Sequence, residues 1–353
     1  MSSAAPQQSD GYHPQPHLII STHSGVVDGL AFLPDGRRVV TCSAKEWAPG
    51  GTVKVWNLEN GEQEGTSMKH DSQSRIHSLA VTWDGTKIIS GEEGGKIKVW
   101  DVESHELVKE WTLPERCLQI AISPDDRLVA VYDGTVAIYT MEGRRVGHSI
   151  KVDGSVWSMC FSPDGKKLAY GTLVDIRVYN VDTGTLILGP LKGHLYSVDD
   201  LIWSHDGSRL FSGSLDETIR CWNSDTGEQI GHPWTGHTQS IRSLSLSPDG
   251  SVLASASWDK TVRFWDATTS NPIGQHLRHD GVRVARFSPS GEFVASAGYG
   301  GKIYLWRVPW FNSVENRVRT LIRCTSVFIL TALSNRQALQ ISTRHATVCT
   351  ARK

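Results

Sequence analysis

The chain has 353 residues, with 36 Lys and Arg against 37 Asp and Glu and a net charge of −1 at pH 7. The charge is uneven, because residues 307–353 carry a net charge of +7 and the residues before them carry −8. The larger part of the chain is therefore mildly acidic and lacks the basic footprint of a nucleic-acid-binding domain.

Six cysteines stand at positions 42, 117, 160, 221, 324 and 349. No pair has the short C-x-x-C spacing that is typical of zinc or redox sites. Cys42, Cys160 and Cys221 fall within apolar runs, so we expect reduced, buried and unreactive thiols, which suit an intracellular protein. The sequence predicts no metal site and no cofactor.

Residues 1–16 consist mainly of Ser, Ala, Pro, Gln and Gly, and we expect them to be disordered. They contain no apolar stretch typical of a signal peptide. No run of 18 or more apolar residues occurs in the chain, so the sequence predicts no membrane span.

From there on, an aromatic residue closes a short run of alternating apolar residues at intervals of 39 to 44 residues. The seven positions are Trp56, Trp100, Tyr139, Tyr179, Trp222, Trp265 and Trp306. A period in the low forties indicates a repeat architecture. Each unit is too small to bury its own apolar face, so the units must stack on one another.

A turn sequence repeats in phase with the aromatic residues. It reads Pro-Asp-Gly or a variant of it at 34–36, 83–85, 124–126, 163–165, 205–207, 248–250 and 289–291. Pro sets φ, Asp bonds its own backbone and Gly accepts a positive φ, so these residues favour tight turns. One apolar run precedes each turn, a second follows it, a third ends at the aromatic residue, and a weaker fourth comes after, as at 229–232. The pattern predicts an all-β fold, a seven-bladed β-propeller with four antiparallel strands per blade.

Residues 309–353 share none of these landmarks and are rich in Arg, Thr and Ser. We expect this basic tail to be poorly ordered and dispensable for folding, although residues 314–333 could form a short helix. The tail could equally be an extension that serves no purpose.

The repeats resemble the WD-repeat family over about residues 17–308. Trp100-Asp101 and Trp265-Asp266 are the signature dipeptide of that family, and Gly193-His194 and Gly236-His237 are its Gly-His. In this family the N-terminal segment often supplies the outer strand of the last blade. Here the last unit has three strands and residues 18–20 have no other partner, so we expect closure of the ring by an N-terminal strand, which removes an open edge.

Residues 227–238 are also similar to the near-identical repeats appended to fungal NACHT-type signalling NTPases, in which the propeller senses a ligand. This chain contains no NTPase half. Both a stand-alone relative and a fragment of a larger signalling protein stay open.

The resemblance implies a structural tetrad that joins a His, a Ser or Thr, an Asp and a Trp. The tetrads of blades five and six are His194, Ser212, Asp216 and Trp222, and His237, Ser255, Asp259 and Trp265. Blades two and seven have glycine at the Asp position, and their remaining members are His70, Ser90 and Trp100, and His279, Ser296 and Trp306. Blade one has His23, Thr41 and Trp56, and blades three and four have tyrosine in place of Trp. We expect these recurring groups to be structural, since a catalytic triad occurs once and needs an exposed nucleophile.

Alignment of the repeats places a second set of residues at the loops between the fourth and first strands and between the second and third strands. Before or within the first strands these are Arg75, His77, Arg116, Trp157, Asp199, Ser240, Arg242 and Arg283. In the turns before the third strands they are Trp47, Glu93, Tyr132, Trp258 and Tyr299. Trp, Tyr and Arg dominate the hot spots of protein interfaces, so this face is the predicted binding surface.

The sequence thus predicts a non-catalytic scaffold or adaptor that binds a protein or peptide partner and is itself a monomer. Two alternatives stay open. One is a nucleic-acid-binding propeller that uses the face arginines and the basic tail, which a steep fall of affinity with salt would reveal. The other is an enzyme with a site in the central channel, although no residue pattern in the sequence supports it.

Overall fold

The computed structural model describes residues 14–44, 51–70, 74–114, 116–117, 119–132, 135–152 and 154–310. The compact unit that holds the repeats ends at Val308. The N-terminal segment predicted to be disordered and the predicted basic tail lie outside the described residues, apart from 14–16 and 309–310.

The described chain folds into seven antiparallel sheets, each made of one repeat, and forms the predicted seven-bladed β-propeller. The strands of blades one to three are β2 (Val26–Phe32), β3 (Arg38–Ala44), β4 (Thr52–Asn57) and β5 (Gln63–Lys69), then β6 (Ile76–Val81), β7 (Lys87–Glu92), β8 (Lys96–Asp101) and β9 (Leu107–Thr112), then β10 (Gln119–Ile122), β11 (Leu128–Tyr132), β12 (Thr135–Tyr139) and β13 (Arg145–Lys151).

The strands of blades four to six are β14 (Ser158–Phe161), β15 (Lys167–Gly171), β16 (Asp175–Asn180) and β17 (Leu186–Lys192), then β18 (Val198–Trp203), β19 (Arg209–Ser214) and β20 (Ile219–Asn223), then β21 (Ile241–Leu246), β22 (Val252–Ser257), β23 (Thr261–Asp266) and β24 (Leu277–Arg278). Blade seven consists of β25 (Val282–Phe287), β26 (Phe293–Gly298) and β27 (Lys302–Arg307), with β1 (Leu18–Ser21) as its outer strand. None of the described residues forms a helix long and apolar enough to cross a membrane.

The repeated turn joins the first and second strands of each blade. In blade six, the hydroxyl of Ser247 donates to Asp249 Oδ1 at 2.6 Å and accepts from the amide of Val252 at 2.9 Å. Gly250 follows with a φ of 75°, in the left-handed region that favours glycine. The Ser-Pro-Asp-Gly sequence therefore closes the turn through its own side chains, as predicted from its residue types.

Blade five departs from four regular strands. The run that was predicted as its outer strand, 229–232, makes only isolated bridges, from Gln229 to Trp222 and from Trp234 to Ile219. Gly231 has a φ of 71°, and Pro233 has no amide hydrogen to donate, so the chain bulges away between the two bridges. Trp234 is buried and covers the edge instead.

The seam closes as predicted. β1 pairs antiparallel with β27, with Leu18 opposite Leu305 and Ser21 opposite Lys302. The amide and the hydroxyl of Thr22 both donate to the carbonyl of Gly301, at 2.7 and 2.9 Å. Blade seven is thus built from both ends of the propeller, and no edge of β27 is left open to another chain.

Each apolar core lies between two blades. One cluster joins Phe211 of blade five to Leu244 and Trp265 of blade six. Another joins Ile20 and Ile303 of blade seven to Val27 of blade one. Neighbouring blades therefore bury each other's faces, as the repeat length requires.

The four cysteines in the described part of the chain are free thiols. Burial raises the pKa of Cys117 to about 12 and that of Cys221 to about 11, and it also raises the pKa of Cys42 and Cys160. These thiols stay protonated at neutral pH and are poor nucleophiles.

Candidate functional site

The first strand of five blades contains a β-bulge at the same place. In blade six the register moves from Ile241↔Ser257 to Ser243↔Ala256 and skips Arg242. The same shift skips Asp28, His77, Asp199 and Arg283 in blades one, two, five and seven. A bulge adds one residue to one strand and re-aims its side chain.

The bulge residues surround one cavity of about 330 Å³, which is lined by the first strands of all seven blades and is therefore the central channel. Trp157 directly precedes the first strand of blade four and also lines the cavity. We call these six residues the channel ring: Asp28, His77, Trp157, Asp199, Arg242 and Arg283. The structure brings five of the predicted face residues together here.

Asp28 was not among the predicted residues, although the sequence contains a signal for it. Each member of the channel ring stands six residues before the first residue of the repeated Pro-Asp-Gly turn or its variant, such as Asp28 before Pro34 and Arg242 before Pro248. Alignment on the turn alone would have found all six.

Ion pairs between neighbouring blades tie the charged members of the ring together. A guanidinium nitrogen of Arg283 lies 3.1 Å from Asp28 Oδ1. Arg242 donates to Asp199 Oδ2, and Ser197 donates to Asp199 Oδ1 at 2.7 Å. The opposite charges offset each other, so the ring presents no large excess of either sign.

Arg242 also connects the ring to the loops. Its guanidinium carbon lies 4.9 Å from the ring centroid of Trp258, in the turn between the second and third strands of blade six. A cation over an indole ring is attracted to it by up to about 2 kcal/mol when desolvated. The indole and the guanidinium therefore hold each other in place before any partner arrives.

Glu93 forms a second polar cluster in blade two. One of its carboxylate oxygens lies 3.5 Å from His77 Nε2 and the other 3.4 Å from Arg116. The backbone amide of Glu93 also donates to the carbonyl of Arg75 at 2.8 Å. The side chain of Arg75 is exposed.

The other predicted face residues differ in exposure. Trp258 and Tyr299 are 39% and 45% exposed. Asp199 and Ser240 are buried, so they could act on a partner only by holding their neighbours. Trp47 and the side chain of Tyr132 lie outside the described residues; Tyr132 itself ends the second strand of blade three rather than standing in a turn.

The residues assigned to tetrads in blades five and six lie within hydrogen-bond distance of one another. In blade five, His194 Nδ1 donates to Asp216 at 2.9 Å, and Ser212 donates to His194 Nε2 at 2.7 Å while accepting from the Trp222 indole at 2.9 Å. The corresponding distances in blade six are 2.7, 2.7 and 2.8 Å. The serine hydroxyls are buried and fully engaged, unlike an exposed nucleophile.

Blade two has Gly94 at the Asp position, but a carboxylate from elsewhere reaches its histidine. His70 Nδ1 lies 2.9 Å from Glu92 Oε2, and both side chains are buried. Glu92 stands two residues before Gly94, and its longer side chain reaches the position that Asp fills in blades five and six. In blade seven, where Gly300 stands at the Asp position, His279 Nδ1 instead lies 3.0 Å from the carbonyl of Asp280.

The histidines of blades one and seven make the stability of the fold sensitive to acid. Burial lowers the pKa of His279 to about 4 and that of His23 to about 3, from 6.5. Both imidazoles therefore stay neutral in the native state at pH values at which the unfolded chain already binds protons. Their contribution to the free energy of unfolding is complete above pH 6.5. It is lost as the pH falls towards the pKa values of the two histidines in the folded state.

We expect the free energy of unfolding to fall below pH 6.5 by about 1.4 kcal/mol per pH unit for each of the two histidines. Urea titrations at a series of pH values measure this slope. His279→Gln should remove about half of it, because one titrating group is then absent. An equal free energy of unfolding at pH 7 and pH 5 in the unmodified chain would contradict the prediction.

A family model for the WD domain, G-beta repeat, matches six stretches of the chain, residues 14–57, 61–101, 143–173, 186–223, 227–266 and 270–307. Together these stretches make up well over half of the chain. The protein belongs to the WD40 family.

Several known proteins are similar in sequence to parts of this chain. A WD repeat-containing protein 26 homolog from Arabidopsis thaliana is 27% identical over 53% of this chain and 31% of its own length. Apoptotic protease-activating factor 1 from Rattus norvegicus is 30% identical over 48% of this chain and 14% of its own. Small ribosomal subunit protein RACK1y from Oryza sativa subsp. japonica is 27% identical over 37% of this chain and 42% of its own. The alignments thus span less than half the length of each of these relatives.

The six WD40 matches leave out residues 102–142, which contain the first three strands of blade three. This blade has Tyr139 in place of the tetrad Trp. Tyr139 packs in an apolar cluster with Ile97 and Leu113.

Proposed function

We propose that this WD40 protein is a non-catalytic scaffold or adaptor that binds a protein or peptide partner on its loop face. The loop face is the side of the propeller with the loops between fourth and first strands and between second and third strands. The exposure of Trp258 and Tyr299 carries the proposal. The tetrad tryptophans Trp222 and Trp265 are buried and have a structural use, whereas these two rings remain partly exposed although their turns do not require them.

Pre-organisation of the loop face also favours binding. Arg242 is held between Asp199 and Trp258, so little side-chain entropy remains to be lost when a partner contacts it. Trp, Tyr and Arg together are the residue types that contribute most to interface hot spots.

The nucleic-acid alternative finds less support among the described residues of the loop face. Arg242, Arg283 and Arg116 each face a carboxylate, from Asp199, Asp28 and Glu93. Phosphate binding depends on cations that are free to replace counterions. An enzyme is also disfavoured, because the carboxylates of the channel ring pair with arginines. We further propose that the protein is a monomer and is intracellular, as its free thiols suggest.

Replacing Trp258 and Tyr299 together by alanine should weaken partner binding by about 2 kcal/mol or more. The measurement is quantitative affinity capture with the full chain as bait, followed by titration of the captured partner. Both rings are partly exposed, so the melting temperature should change little.

Trp83→Ala is the matched control. Trp83 is exposed in the turn between first and second strands, on the opposite side of the propeller. Capture that survives the loop-face double replacement but is lost with Trp83→Ala would contradict the proposed face.

A further inference from the structure

Blades four and five expose an apolar patch on the loop face that is separate from the pair formed by Arg242 and Trp258. Leu195 and Tyr196, in the loop that enters blade five, are 75% and 58% exposed. Leu173 and Val174, in the turn between second and third strands of blade four, are also exposed, as is Trp157 of the channel ring. We call these five residues the blade 4–5 patch.

Backbone hydrogen bonds place the members of the patch side by side. The amide of Trp157 donates to the carbonyl of Gly171 at 3.0 Å, immediately before the turn that contains Leu173. The amide of Val198 donates to the carbonyl of Thr172 at 3.0 Å, which brings the 195–196 loop against that turn. The patch therefore runs from the central channel outwards across two blades.

Blade six shows that the fold does not require apolar side chains in this loop. Thr238 and Gln239 occupy the positions of Leu195 and Tyr196 after the same Gly-His. The amides of Leu195 and Thr238 both donate to the tetrad Asp, at 3.0 and 3.2 Å.

The next residue in each loop also makes the same bond. The carbonyls of Tyr196 and Gln239 both accept from a serine hydroxyl, of Ser214 and Ser257, at 3.2 and 2.8 Å. The same loop thus forms with polar residues in blade six. The apolar surface of blade five is free to serve binding.

The turn of blade four leads to the same conclusion. The pairs Gly171↔Ile176 and Gly213↔Ile219 enclose four turn residues in blade four and five in blade five, so Leu173 lies at the position of Leu215 and Val174 lies where blade five has Asp216 or Glu217. Blade four has Tyr179 instead of the tetrad Trp, so it has no use for the Asp. Asp175 still supplies a buried carboxylate to this turn, which accepts from the Thr172 hydroxyl at 2.8 Å, so nothing in the turn requires an exposed aliphatic side chain at position 174.

We propose that the blade 4–5 patch binds a short amphipathic segment of a partner protein through aliphatic or aromatic side chains. This inference rests on the proposed function and names the chemistry of the partner. Lys192, which pairs with Asp175 at the end of the blade four turn, is exposed, and so is Glu217 in the corresponding turn of blade five. A complementary segment carries an acidic residue at one end of its apolar side and a basic residue at the other.

The size of the patch favours a short segment over a second copy of this chain. Its five side chains expose on the order of 500 Å². A stable interface between folded proteins buries about 800 Å² on each side. Nucleic acid is a poorer match, because three of the five side chains are aliphatic and Lys192 is the one cation among the residues that border the patch.

The experiment is selection of a random peptide library displayed on phage against the full chain, followed by titration of the enriched peptides. The key variant is Leu195→Thr/Tyr196→Gln, which installs the residues of blade six and should melt like the unmodified protein. Leu173→Ser/Val174→Ser is a second variant at a different loop. Trp258→Ala/Tyr299→Ala is a comparison variant elsewhere on the same face, and Trp83→Ala, on the opposite side of the propeller, is the matched control.

The inference predicts enriched peptides with two or more Leu, Ile, Phe or Trp residues, whose affinity falls at least tenfold with both patch variants and less than threefold with Trp83→Ala. Peptides whose affinity falls with Trp258→Ala/Tyr299→Ala but not with the patch variants would overturn the inference and leave the proposed function standing. Peptides that respond to none of these variants would count against both.

Sedimentation of the full chain tests the other occupants. Self-association that disappears with Leu195→Thr/Tyr196→Gln would assign the patch to a second copy and overturn the inference. Binding of single-stranded RNA that is lost with the same variant would also overturn it.

Discussion

Replacing Ile20 by alanine is expected to lower the free energy of unfolding by about 2–5 kcal/mol, as large-to-small changes in well-packed cores do. Ile20 is 3% exposed and packs in the cluster that joins blades one and seven. The loss arises at the seam, where β1 is the outer strand of blade seven. A chain that lacks residues 1–22 should be affected more strongly and aggregate, because the edge of β27 is then open and apolar side chains beneath it are uncovered.

Ile19→Ala is the matched control for the seam. Ile19 is the preceding residue of the same strand, points the other way and is 50% exposed. It should change the free energy of unfolding by less than about 1 kcal/mol. Urea unfolding of both variants measures the difference. Equal effects of the two replacements would show that β1 does not dock as described.

His237→Ala should destabilise the propeller by roughly 1–3 kcal/mol, because it leaves the other members of a buried polar network without their partner. Burial alone would raise the pKa of the Asp259 carboxyl, but its hydrogen bond with His237 holds that pKa well below its ordinary value. Without the histidine, the carboxylate keeps the cost of burial and loses this compensation.

The control for this replacement is His232→Ala, which removes an exposed imidazole from the chain that precedes the same blade. It should leave the unfolding midpoint in urea almost unchanged. A free energy of unfolding for His237→Ala within about 0.5 kcal/mol of the unmodified protein would mean that the tetrad adds nothing to stability.

The repeat period and the turn sequence were sufficient to predict the fold, because they depend on local chemistry that recurs seven times. Closure by the N-terminal strand was predicted from the family resemblance and the spare apolar run at 18–20. A wrong strand assignment in one blade does not change the predicted fold, because the other blades repeat the same sequence pattern. The outer strand of blade five was mispredicted for the opposite reason. Its alternating pattern is weak, and Gly231 and Pro233 interrupt the pairing between the bridges made by Gln229 and Trp234.

The candidate site was less predictable because it depends on side-chain reach and on contacts between blades. Glu92 was missed since the alignment compared positions, whereas a longer side chain two residues away can reach the same atom. The lysines that stand two residues before the aromatic residue were not noticed either. Lys54 and Lys98 lie 5.3 Å from the ring centroids of Trp56 and Trp100, so these exposed-looking positions in fact shield the tetrad rings.

The blade 4–5 patch was overlooked because apolar residues in a strand-rich sequence are expected to be buried. Leu195 and Tyr196 follow a Gly-His and precede a strand, and their composition resembles that of the strand itself. Only the structure shows that the side chains of Leu195 and Tyr196 are exposed, since hydrogen bonds from the loop backbone determine its conformation. The loops of blades five and six form the same hydrogen bonds with different side chains, so the apolar residues of blade five are not needed for the fold.

The shared blade seven also sets the order in which the protein can be completed. Leu18 and Leu305 meet across almost the whole length of the ring, so the earliest-made strand must wait for the last-made one. Contacts so distant in sequence form slowly in an unstructured chain. Once the intervening blades have stacked, however, they carry the two ends towards each other and raise their effective concentration. Closure then removes the terminal repeats from which an open array would fray, and the ring should unfold as one cooperative unit.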